Sequence, residues 1–365
     1  MTTLTRLLLA VVACGVAGPA AVAAEYVLRR TYDAANFADS FAFRTAADFA
    51  DLNGDPTNGF VNYVDVDTAA DLGLFRVINV AGDASRRQQQ VFLGVDNTST
   101  LSTRVQGRNS LRLESFDTFD RGLLVADIAH MPGNQCGVWP AFWTYNFAEE
   151  PMGEIDVIEG INHQKDNTIS LHTCDRCKFT GGDDDSGRHD GGLQPDRRST
   201  SAIMTGRDLR SNCALGGDCD ENAKNWDGCG VTASEAASYG DGFNAAGGGV
   251  YVLQLTSTFM KIWHYPRSAI PDDLAAGTPD PSGWGLPMGA FEQKHGGCDV
   301  GGIFRNQTII INIDFCGDNE SDDIWQTDRQ CSQYSSCTDF VAKHPAKFAE
   351  TYWLFNSIKL YKESD

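Results

Sequence analysis

The stretch Gly153-Glu154-Ile155-Asp156-Val157-Ile158-Glu159-Gly160 places three carboxylates close together, separated by branched apolar side chains. Val and Ile favour a β-strand, and because side chains alternate on a strand, Glu154 and Asp156 share one face. Glu159 is an odd number of steps from Glu154 and would face the other way in a regular strand. A β-bulge after Asp156 would return Glu159 to the face of the other two acids. The sequence therefore predicts a bulged strand that presents three acids to one cleft.

Two other interpretations of this acid cluster stay open at this point. A solvated acidic edge strand would also carry alternating carboxylates. A calcium site would use carboxylate oxygens, but strand-borne acids with apolar spacers do not resemble a calcium loop. Because clustered like charges are unfavourable unless chemistry uses them, a functional site is the favoured interpretation. The sequence predicts no metal and no cofactor.

The composition is that of an acidic globular protein. The chain has 365 residues, of which 42% are hydrophobic and 10% aromatic, so a sizeable core is expected in one large domain or two small ones. The formal net charge of −20 disfavours nucleic acid and anionic membranes as partners. A neutral substrate fits this charge better.

The N-terminus has the layout of a secretory signal peptide. A basic residue precedes the apolar run Leu7 to Val16, and the small residues Ala21-Val22-Ala23 stand just before Glu25. The alternative, a membrane anchor, is disfavoured because this run is too short to span a bilayer comfortably. We therefore expect a secreted, extracellular protein in which residues 1–24 are the signal and residues 25–365 form a single domain.

Ten cysteines remain after the predicted signal, and an even number in a secreted chain predicts up to five disulfides. They are Cys136, Cys174, Cys177, Cys213, Cys219, Cys229, Cys298, Cys316, Cys331 and Cys337. A zinc site at Cys174 and Cys177 is disfavoured because no second pair with that spacing is present. In a eukaryotic host, Asn97, Asn306 and Asn319 would be candidate N-glycosylation sites.

Short runs of β-like composition recur along the chain, separated by Gly, Asp and Asn clusters, without long helical periodicity. This pattern predicts an all-β fold, a sandwich or a barrel. The runs are Gly59 to Val66, Leu74 to Val80, Ser110 to Leu113, Gly122 to Ile128, Thr168 to His172, Gly249 to Thr256, Lys261 to Tyr265, Ile309 to Phe315 and Tyr352 to Tyr361.

One short helix is predicted near the C-terminus, within Cys337 to Glu350. Ser336 or Thr338 would cap it, and Pro345 would end it early or split it. Two polar, Gly-rich segments predict long surface loops pinned by disulfides, and the acidic residues of the first one predict a solvated loop in preference to a cation site. These segments are Gly181 to Thr200 and Ser211 to Gly248.

Aromatic residues flank the acid cluster in the sequence. Trp139 and Trp143 have even spacing and so share a strand face. A Trp is usually a core residue, but indole rings near acids also form platforms for flat sugar faces, and Trp263 is a third candidate. His172 can reach the acids if its strand pairs with theirs, although a lone His is more often structural.

Paired carboxylates beside aromatic platforms suggest glycoside hydrolysis. In a retaining enzyme one carboxylate attacks the anomeric carbon, one carboxylic acid protonates the leaving oxygen, and the two groups lie about 5–5.5 Å apart. Four strand steps of roughly 3.3 Å place the Cα atoms of Glu154 and Glu159 about 13 Å apart, a gap that Glu side chains can close. Asp156 between them can hydrogen-bond one Glu and tune its proton affinity.

With these residues in view, the sequence resembles glycoside hydrolase family 16, in particular the fungal endo-1,3(4)-β-glucanases or laminarinases. The acid stretch matches the longer E-x-D-x-x-E form of the family signature, and the resemblance extends over about residues 26 to 362. Further matches are Val138-Trp139-Pro140-Ala141-Phe142-Trp143, Leu171-His172-Thr173, Trp263-His264-Tyr265-Pro266-Arg267, Phe315-Cys316-Gly317-Asp318, Tyr334-Ser335-Ser336-Cys337, Asp339-Phe340-Val341 and Ile358-Lys359-Leu360-Tyr361.

The resemblance implies a two-sheet antiparallel jelly roll with a curved substrate cleft. It implies Glu154 as nucleophile, Glu159 as acid/base and Asp156 as the assisting carboxylate. The cleft residues that it implies are Trp139, Trp143, His172 and Trp263. The chain departs from the fungal pattern where Asn319 and Glu320 follow Cys-Gly-Asp in place of Trp, and in the long acidic segment Gly181 to Thr200.

Together with the predicted signal, the resemblance implies a secreted retaining endo-β-glucanase that acts as a monomer on 1,3- or mixed 1,3/1,4-β-glucan. One alternative is a non-catalytic β-glucan-binding protein on the same fold, but such proteins usually lack the catalytic Glu residues that are present here. The other is a glucan transglycosylase, which would keep the acids and transfer the sugar to another sugar.

Overall fold

The computed structural model describes residues 26–80, 88–146, 152–173, 177–179, 203–210, 213, 228–235, 237–293, 297–318 and 322–364. Within those ranges, no helix combines the length and the apolar character that crossing a membrane requires. The predicted signal, the acidic segment Gly181 to Thr200, and the residues Cys174, Cys219, Asn319 and Glu320 lie outside them.

Strands dominate the described part of the chain, as the β-like runs predict. They are β1 (Tyr26–Tyr32), β2 (Phe41–Arg44), β3 (Val61–Tyr63), β4 (Phe75–Val80), β5 (Gln88–Gly94), β6 (Arg108–Ser110), β7 (Arg112–Phe119), β8 (Gly122–His130), β9 (Val138–Tyr145), β10 (Gly153–Glu159), β11 (Thr168–Thr173), β12 (Arg207–Arg210), β13 (Cys229–Thr232), β14 (Gly249–Leu255), β15 (Phe259–Pro266), β16 (Gly289–Glu292), β17 (Gln307–Phe315) and β18 (Tyr352–Glu363).

Helices in the described ranges are short. The α-helices are α1 (Phe37–Ser40), α2 (Val66–Asp71), α3 (Gly240–Ala245), α4 (Asp272–Ala276), α5 (Val300–Ile303), α6 (Asp322–Thr327) and α7 (Cys337–Lys343). Short 3₁₀ segments occupy Ala46–Leu52, which is kinked at Phe49, and Arg267–Ala269, Pro281–Gly283, Cys331–Gln333 and Pro345–Phe348.

The strands form two large antiparallel sheets. The site sheet has the order β12-β13-β11-β10-β9-β17-β7-β2. The opposite sheet has the order β16-β15-β14-β8-β18-β5-β4, with β1 paired to β18. A small parallel pair, β3 and β6, lies apart from both. The predicted two-sheet antiparallel sandwich is confirmed.

The main core lies between the two sheets. Ile155 and Val157 on β10 point into it, as do Leu124 and Ala126 on β8 of the opposite sheet, and all four are almost fully buried. Burying a large aliphatic side chain contributes roughly 1.5–3 kcal/mol, so this double layer holds the sheets face to face. The alternation that buries Ile155 turns its neighbours Glu154 and Asp156 to the other face of the site sheet.

The C-terminal helix begins and ends where the sequence predicts. The Ser336 hydroxyl accepts a hydrogen bond from the Asp339 backbone N–H and so caps α7. The helix ends before Pro345, and a 3₁₀ turn follows it. Its first residue, Cys337, is tied to Cys316 at the end of β17.

Three further disulfides are formed in the described residues: Cys136–Cys331, Cys177–Cys298 and Cys213–Cys229. Cys213–Cys229 ties the second predicted loop to β13, whereas the first predicted loop lies outside the described residues. Two local predictions were wrong. The run Gly59 to Val66 contains only the short strand β3 and is followed by α2, and the predicted loop Ser211 to Gly248 contains β13 and α3.

Candidate active site

The strand β10 carries the predicted bulge. Its neighbour β9 pairs Glu154 with Tyr145, Asp156 with Trp143 and Glu159 with Ala141, and the register shifts between Asp156 and Ile158. Residues 141, 143 and 145 alternate regularly and share one face of β9. The three acids opposite them therefore share one face as well.

The pairing of β10 with its other neighbour, β11, shows the same bulge. It pairs Glu154 with His172 and Asp156 with Ser170, and the register shifts again before Glu159, which lies opposite Thr168. The two residues taken up by the shift, Val157 and Ile158, are both buried in the core. Burial of both branched side chains stabilises the bulge, because straightening it would move one of them to the polar face.

Trp139 binds one of the acids directly. Its indole Nε1 donates a hydrogen bond to Oε1 of Glu159 over 2.9 Å. Asn167 Oδ1 accepts a hydrogen bond from the Glu159 backbone N–H at 3.0 Å, which fixes the strand end that carries this acid. The Glu159 side chain is thus oriented from both its carboxylate and its backbone.

Trp143 is held by two neighbours on the same face. Its Nε1 donates to Oδ1 of Asn312 over 2.9 Å, and the Arg112 guanidinium lies 5.1 Å from its ring centre. Arg112 is itself 4% exposed and pairs with Glu114 at 3.1 Å. A buried cation with a carboxylate partner therefore fixes one side of the indole.

His172 lies beside the acid cluster, as the paired strands predict. Its Nε2 is 3.2 Å from Oδ2 of Asp156 and 3.9 Å from Oε1 of Glu154. The Asp156 contact lacks hydrogen-bond alignment, since Oδ2 of Asp156 has no aligned donor within the described residues. His172 is placed to offset the charge of these acids when it is protonated.

Burial and mutual repulsion raise the pKa values of two acids. Burial is the main cause that raises the pKa of Glu154 to about 8, and the charge on Asp156 is the next. Burial, and then the charge on Glu159, raise the pKa of Asp156 well above its usual range. His172 and Arg112 oppose the shift of the Glu154 pKa. The cluster therefore holds at least one proton at neutral pH.

Two groups of described residues are close enough to share an ion. In one, the ligand atoms of Cys136, His163 and Cys331 lie within 4.8 Å of one another, but the two cysteines form a disulfide and offer no thiolates. In the other, Glu154, Asp156 and His172 have the same spacing. Calcium prefers six or more oxygen ligands, which this second group does not supply.

The structure places Trp263 away from the acids, so its assignment to the cleft was wrong. Trp263 lies on β15 of the opposite sheet and faces outward into a second apolar cluster with Trp284, at a ring distance of 5.4 Å. The segment that contains α4 covers this face, and Trp263 is 3% exposed. Its Nε1 donates to the backbone oxygen of Gly285. Trp263 is therefore a packing residue.

Arg112 and Asn312 belong to the site face, and the sequence analysis missed them. The available signal was the alternation in Arg112-Leu113-Glu114, where two charged residues flank a core position. A charged pair on a mostly buried strand indicates a face with polar surroundings. The polar positions Asn312 and Asp314 in the β-like run Ile309 to Phe315 carry the same signal.

Comparison with known proteins identifies the family of the chain. The family model of the XgeA-like catalytic domain of glycoside hydrolase family 16 matches residues 48–361. The chain belongs to glycoside hydrolase family 16.

Among curated proteins of the family, a probable endo-1,3(4)-β-glucanase of Aspergillus fumigatus is 39% identical over 346 residues, which cover 94% of this chain and 47% of the relative. The chain thus spans about half the length of that relative. The family assignment itself rests on the family model, which matches residues 48–361.

Two solved structures of the family match nearly the whole chain. One is an elongating family 16 β-1,3-glucosyltransferase, with 38% identity and a TM-score of 0.75, over 92% of this chain and 100% of that chain. The other is Laminarinase 16A from Phanerochaete chrysosporium with β-glucans in its donor and acceptor sites, with 35% identity and a TM-score of 0.76, over 93% of this chain and 100% of that chain.

Proposed function

We propose that this protein is a secreted endo-β-glucanase that hydrolyses 1,3- or mixed 1,3/1,4-β-glucan with retention of the anomeric configuration. The observation that carries this proposal is the bulged register of β10, which brings Glu154, Asp156 and Glu159 to one face. The names of the family relatives support glucan as the substrate. The predicted signal supports secretion.

In the first step, the ionised Glu154 carboxylate attacks the anomeric carbon of the bound glucan. Glu159 gives its proton to the glycosidic oxygen as the bond to the leaving sugar breaks. A covalent glycosyl ester forms on Glu154, and Glu159 becomes a carboxylate. The indole N–H of Trp139, which donates to Glu159, stabilises that carboxylate.

In the second step, the Glu159 carboxylate takes a proton from water as the water oxygen attacks the anomeric carbon. The ester bond to Glu154 breaks, and Glu154 leaves as a carboxylate. Two inversions at one carbon give net retention. Both acids return to their starting protonation states.

Asp156 controls the charge of the nucleophile in this scheme. A proton held by Asp156 removes the repulsion that raises the pKa of Glu154, so Glu154 is ionised more readily when Asp156 is neutral. A neutral Asp156 can also donate a hydrogen bond toward Glu154. His172, close to both groups, stabilises the negative charge that remains.

Trp143 supports substrate binding beside the acids. Its indole is partly exposed on the cleft face, opposite Asp156 in the register. Flat apolar sugar faces stack on such rings. Arg112 and Asn312 hold the ring in one orientation, which lowers the entropy that binding would otherwise cost.

A second candidate function is elongating transglycosylation, favoured by the similarity to the family 16 β-1,3-glucosyltransferase. The first step would be the same. In the second step, a sugar hydroxyl would replace water, and longer glucans would form. The non-catalytic binding alternative is disfavoured because all three acids are present and converge.

The test is product analysis on laminarin, lichenan and barley β-glucan with the purified protein. Hydrolysis predicts shorter oligosaccharides whose new reducing ends first appear as the β-anomer in proton NMR. Products longer than the substrate would favour transglycosylation. First appearance of the α-anomer would contradict retention, and a lack of any product would contradict catalysis on these glucans.

A further inference from the structure

Beside the cleft, two buried acids contact one hydroxyl group. The proposed reaction uses neither acid. Asp314, near the end of β17, lies opposite Trp139 in the sheet and is 1% exposed. Asp55, in the loop before β3, is 2% exposed. The Thr57 Oγ1 lies 2.6 Å from Oδ2 of Asp55 and also contacts Oδ2 of Asp314.

Counting protons shows that one of these acids is neutral. A threonine hydroxyl carries one proton and can donate one hydrogen bond. The second contact joins two oxygens and needs another proton, which only a carboxylic acid can supply. The three groups Asp55, Thr57 and Asp314 therefore hold one carboxylate and one carboxylic acid.

The remaining hydrogen bonds identify which acid is neutral. Oδ2 of Asp55 also accepts the backbone N–H groups of Thr57 at 3.0 Å and Gly59 at 2.8 Å. Several donors on one oxygen mark a carboxylate. Asp314 accepts the Phe315 N–H on Oδ1 at 2.6 Å, which leaves Oδ2 to carry the proton. The chain of bonds runs from Asp314 O–H to Thr57 and from Thr57 O–H to Asp55.

The surrounding charges agree with a neutral Asp314. Burial is the main cause that raises the pKa of Asp314 well above its usual range, and the charge on Asp55 is the next. The contacts with Thr57 and Phe315 and the charge of the more distant Arg112 lower the pKa of Asp314 and so act in the opposite direction. Tyr63 also faces these acids and is neutral, because burial raises its pKa well above the usual range.

This cluster forms part of the wall beside Trp139. The Asp318 N–H donates to the backbone oxygen of Thr57 at 2.9 Å, and the Phe60 N–H donates to the backbone oxygen of Phe315 at 2.7 Å. These two bonds tie the loop to the end of β17. A Cβ atom added to Gly317 would lie 2.8 Å from the backbone oxygen of Thr57 and 3.2 Å from the Trp139 ring. Gly317, two residues after β17, therefore lies next to both the loop backbone and the indole ring.

We propose that the Asp314 O–H donates a hydrogen bond to Thr57 and that the Thr57 O–H donates one to Asp55. This hydrogen-bonded relay positions Trp139 and, through the indole N–H of Trp139, the side chain of Glu159. The proton assignment stands on the geometry of the relay alone. The link to Glu159 rests on the proposed function of that residue.

The first experiment compares two isosteric variants by thermal unfolding at neutral pH. Asp314→Asn replaces the acid O–H by an amide N–H that can donate to Thr57, so we expect a melting temperature close to that of the unmodified protein. Asp55→Asn can keep an oxygen for the three donors only by placing its NH2 at the position of Oδ1, which is buried and has no hydrogen-bond partner within the described residues, so we expect clear destabilisation. Equal destabilisation by the two variants, or greater loss in Asp314→Asn, would overturn the proton assignment.

The pH dependence gives an independent readout. A raised pKa in the folded state adds stability at low pH that is lost as the pH rises through the folded value. The unmodified protein should therefore lose stability relative to Asp314→Asn as the pH is raised from about 5 to about 9. A constant difference between the two proteins over this range would contradict the neutral state of Asp314.

The positioning role is tested by a double-mutant cycle on kcat with laminarin as substrate. Thr57→Val breaks the relay, and we expect kcat to fall about tenfold while KM changes little. Thr57→Ser keeps the hydroxyl and should restore kcat. In a Trp139→Phe background, Thr57→Val should have little further effect. Full additivity of the two changes would exclude an action through Trp139.

The two proposals fail in distinguishable ways. If Glu154→Gln and Glu159→Ala both keep full activity, the proposed function is wrong, whereas the contrast between Asp314→Asn and Asp55→Asn in thermal unfolding is unaffected. If that contrast is missing while both catalytic variants are inactive, the relay is wrong and the proposed function stands.

Discussion

The cleft face of the site sheet carries Trp139 and Trp143 on alternating positions of β9, and the outer face of the opposite sheet carries Trp263 on β15. On the cleft face, the indole N–H groups of Trp139 and Trp143 donate to the side chains of Glu159 and Asn312. On the outer face, Trp263 donates to a backbone oxygen under a covering segment. Side chains alternate in the same way on the strands of both faces. The two faces differ in the layer that covers them and in the hydrogen-bond partners of their tryptophans.

This comparison shows what separates a tryptophan on the face that carries the acids from a packing tryptophan. A strand pattern places a ring on a face, but the pattern does not say whether another segment covers that face. The segment with α4 and Trp284 covers the outer face and excludes water from Trp263. On the cleft face, by contrast, Trp139 and Trp143 are partly exposed within the described residues.

The largest expected effect is on the cleft face, at Glu154. Glu154→Gln removes the attacking carboxylate with almost no change in size, and we expect hydrolysis of laminarin to fall by roughly 10⁴-fold or more. Circular dichroism should remain unchanged. Activity equal to that of the unmodified protein would rule out Glu154 as the nucleophile.

Glu159 should show the next largest effect, with a distinctive rescue. Glu159→Ala removes the proton donor, and kcat should fall by about 10²–10⁴-fold. Azide can attack the glycosyl ester without a general base, so added azide should restore part of the activity when the substrate carries a good leaving group. A variant that does not respond to azide at any concentration would count against the acid/base role.

The two tryptophan faces should respond oppositely to mutation. Trp263→Ala empties a packed site on the outer face, and we expect it to destabilise the protein by about 3–5 kcal/mol. In the fraction that stays folded, kcat/KM should be unchanged. A large loss of kcat/KM without a loss of stability would place Trp263 back in substrate binding.

Trp139→Phe is the matched variant on the cleft face. It keeps an aromatic ring and removes the N–H that binds Glu159, so kcat should fall by about tenfold while the melting temperature changes little. Steady-state kinetics and thermal unfolding measure the two quantities. If stability falls and kcat is unchanged, the two faces do not differ in the way described.

The smallest expected effect is the pH dependence of stability at the cleft. The pKa of Glu154 is raised to about 8, so its contribution to stability is fully present below its ordinary pKa and is lost as the pH rises through about 8. Glu154→Gln cannot ionise. As the pH rises from about 5 to about 9, the melting temperature of this variant should therefore fall less than that of the unmodified protein. Parallel curves would contradict the raised pKa.

Much of the fold and the site was predictable because the signals are local. The spacing of Glu154, Asp156 and Glu159 implied a bulge, and the structure shows it in the pairing with both neighbours. Ser336 and Pro345 marked the ends of the C-terminal helix for reasons of capping and backbone geometry. Each of these features depends on residues a few positions apart.

The features that were missed depend on distant residues. α2 and α3 are short, and their apolar residues pack onto a core that is assembled from the whole chain. Arg112 reaches the site only because β7 lies beside β17, and β17 beside β9. The shared proton of Asp55 and Asp314 requires a loop and a strand end that are more than 250 positions apart in sequence.

The sequence by itself determined the family, the acid strand and its bulge, because alternating side chains and a five-residue step leave few other arrangements. Only the tertiary structure decided which tryptophans face the cleft, which residues hold them, and where a buried proton resides. Those properties depend on what covers each face and on which polar groups burial brings together, and burial is a property of the whole chain.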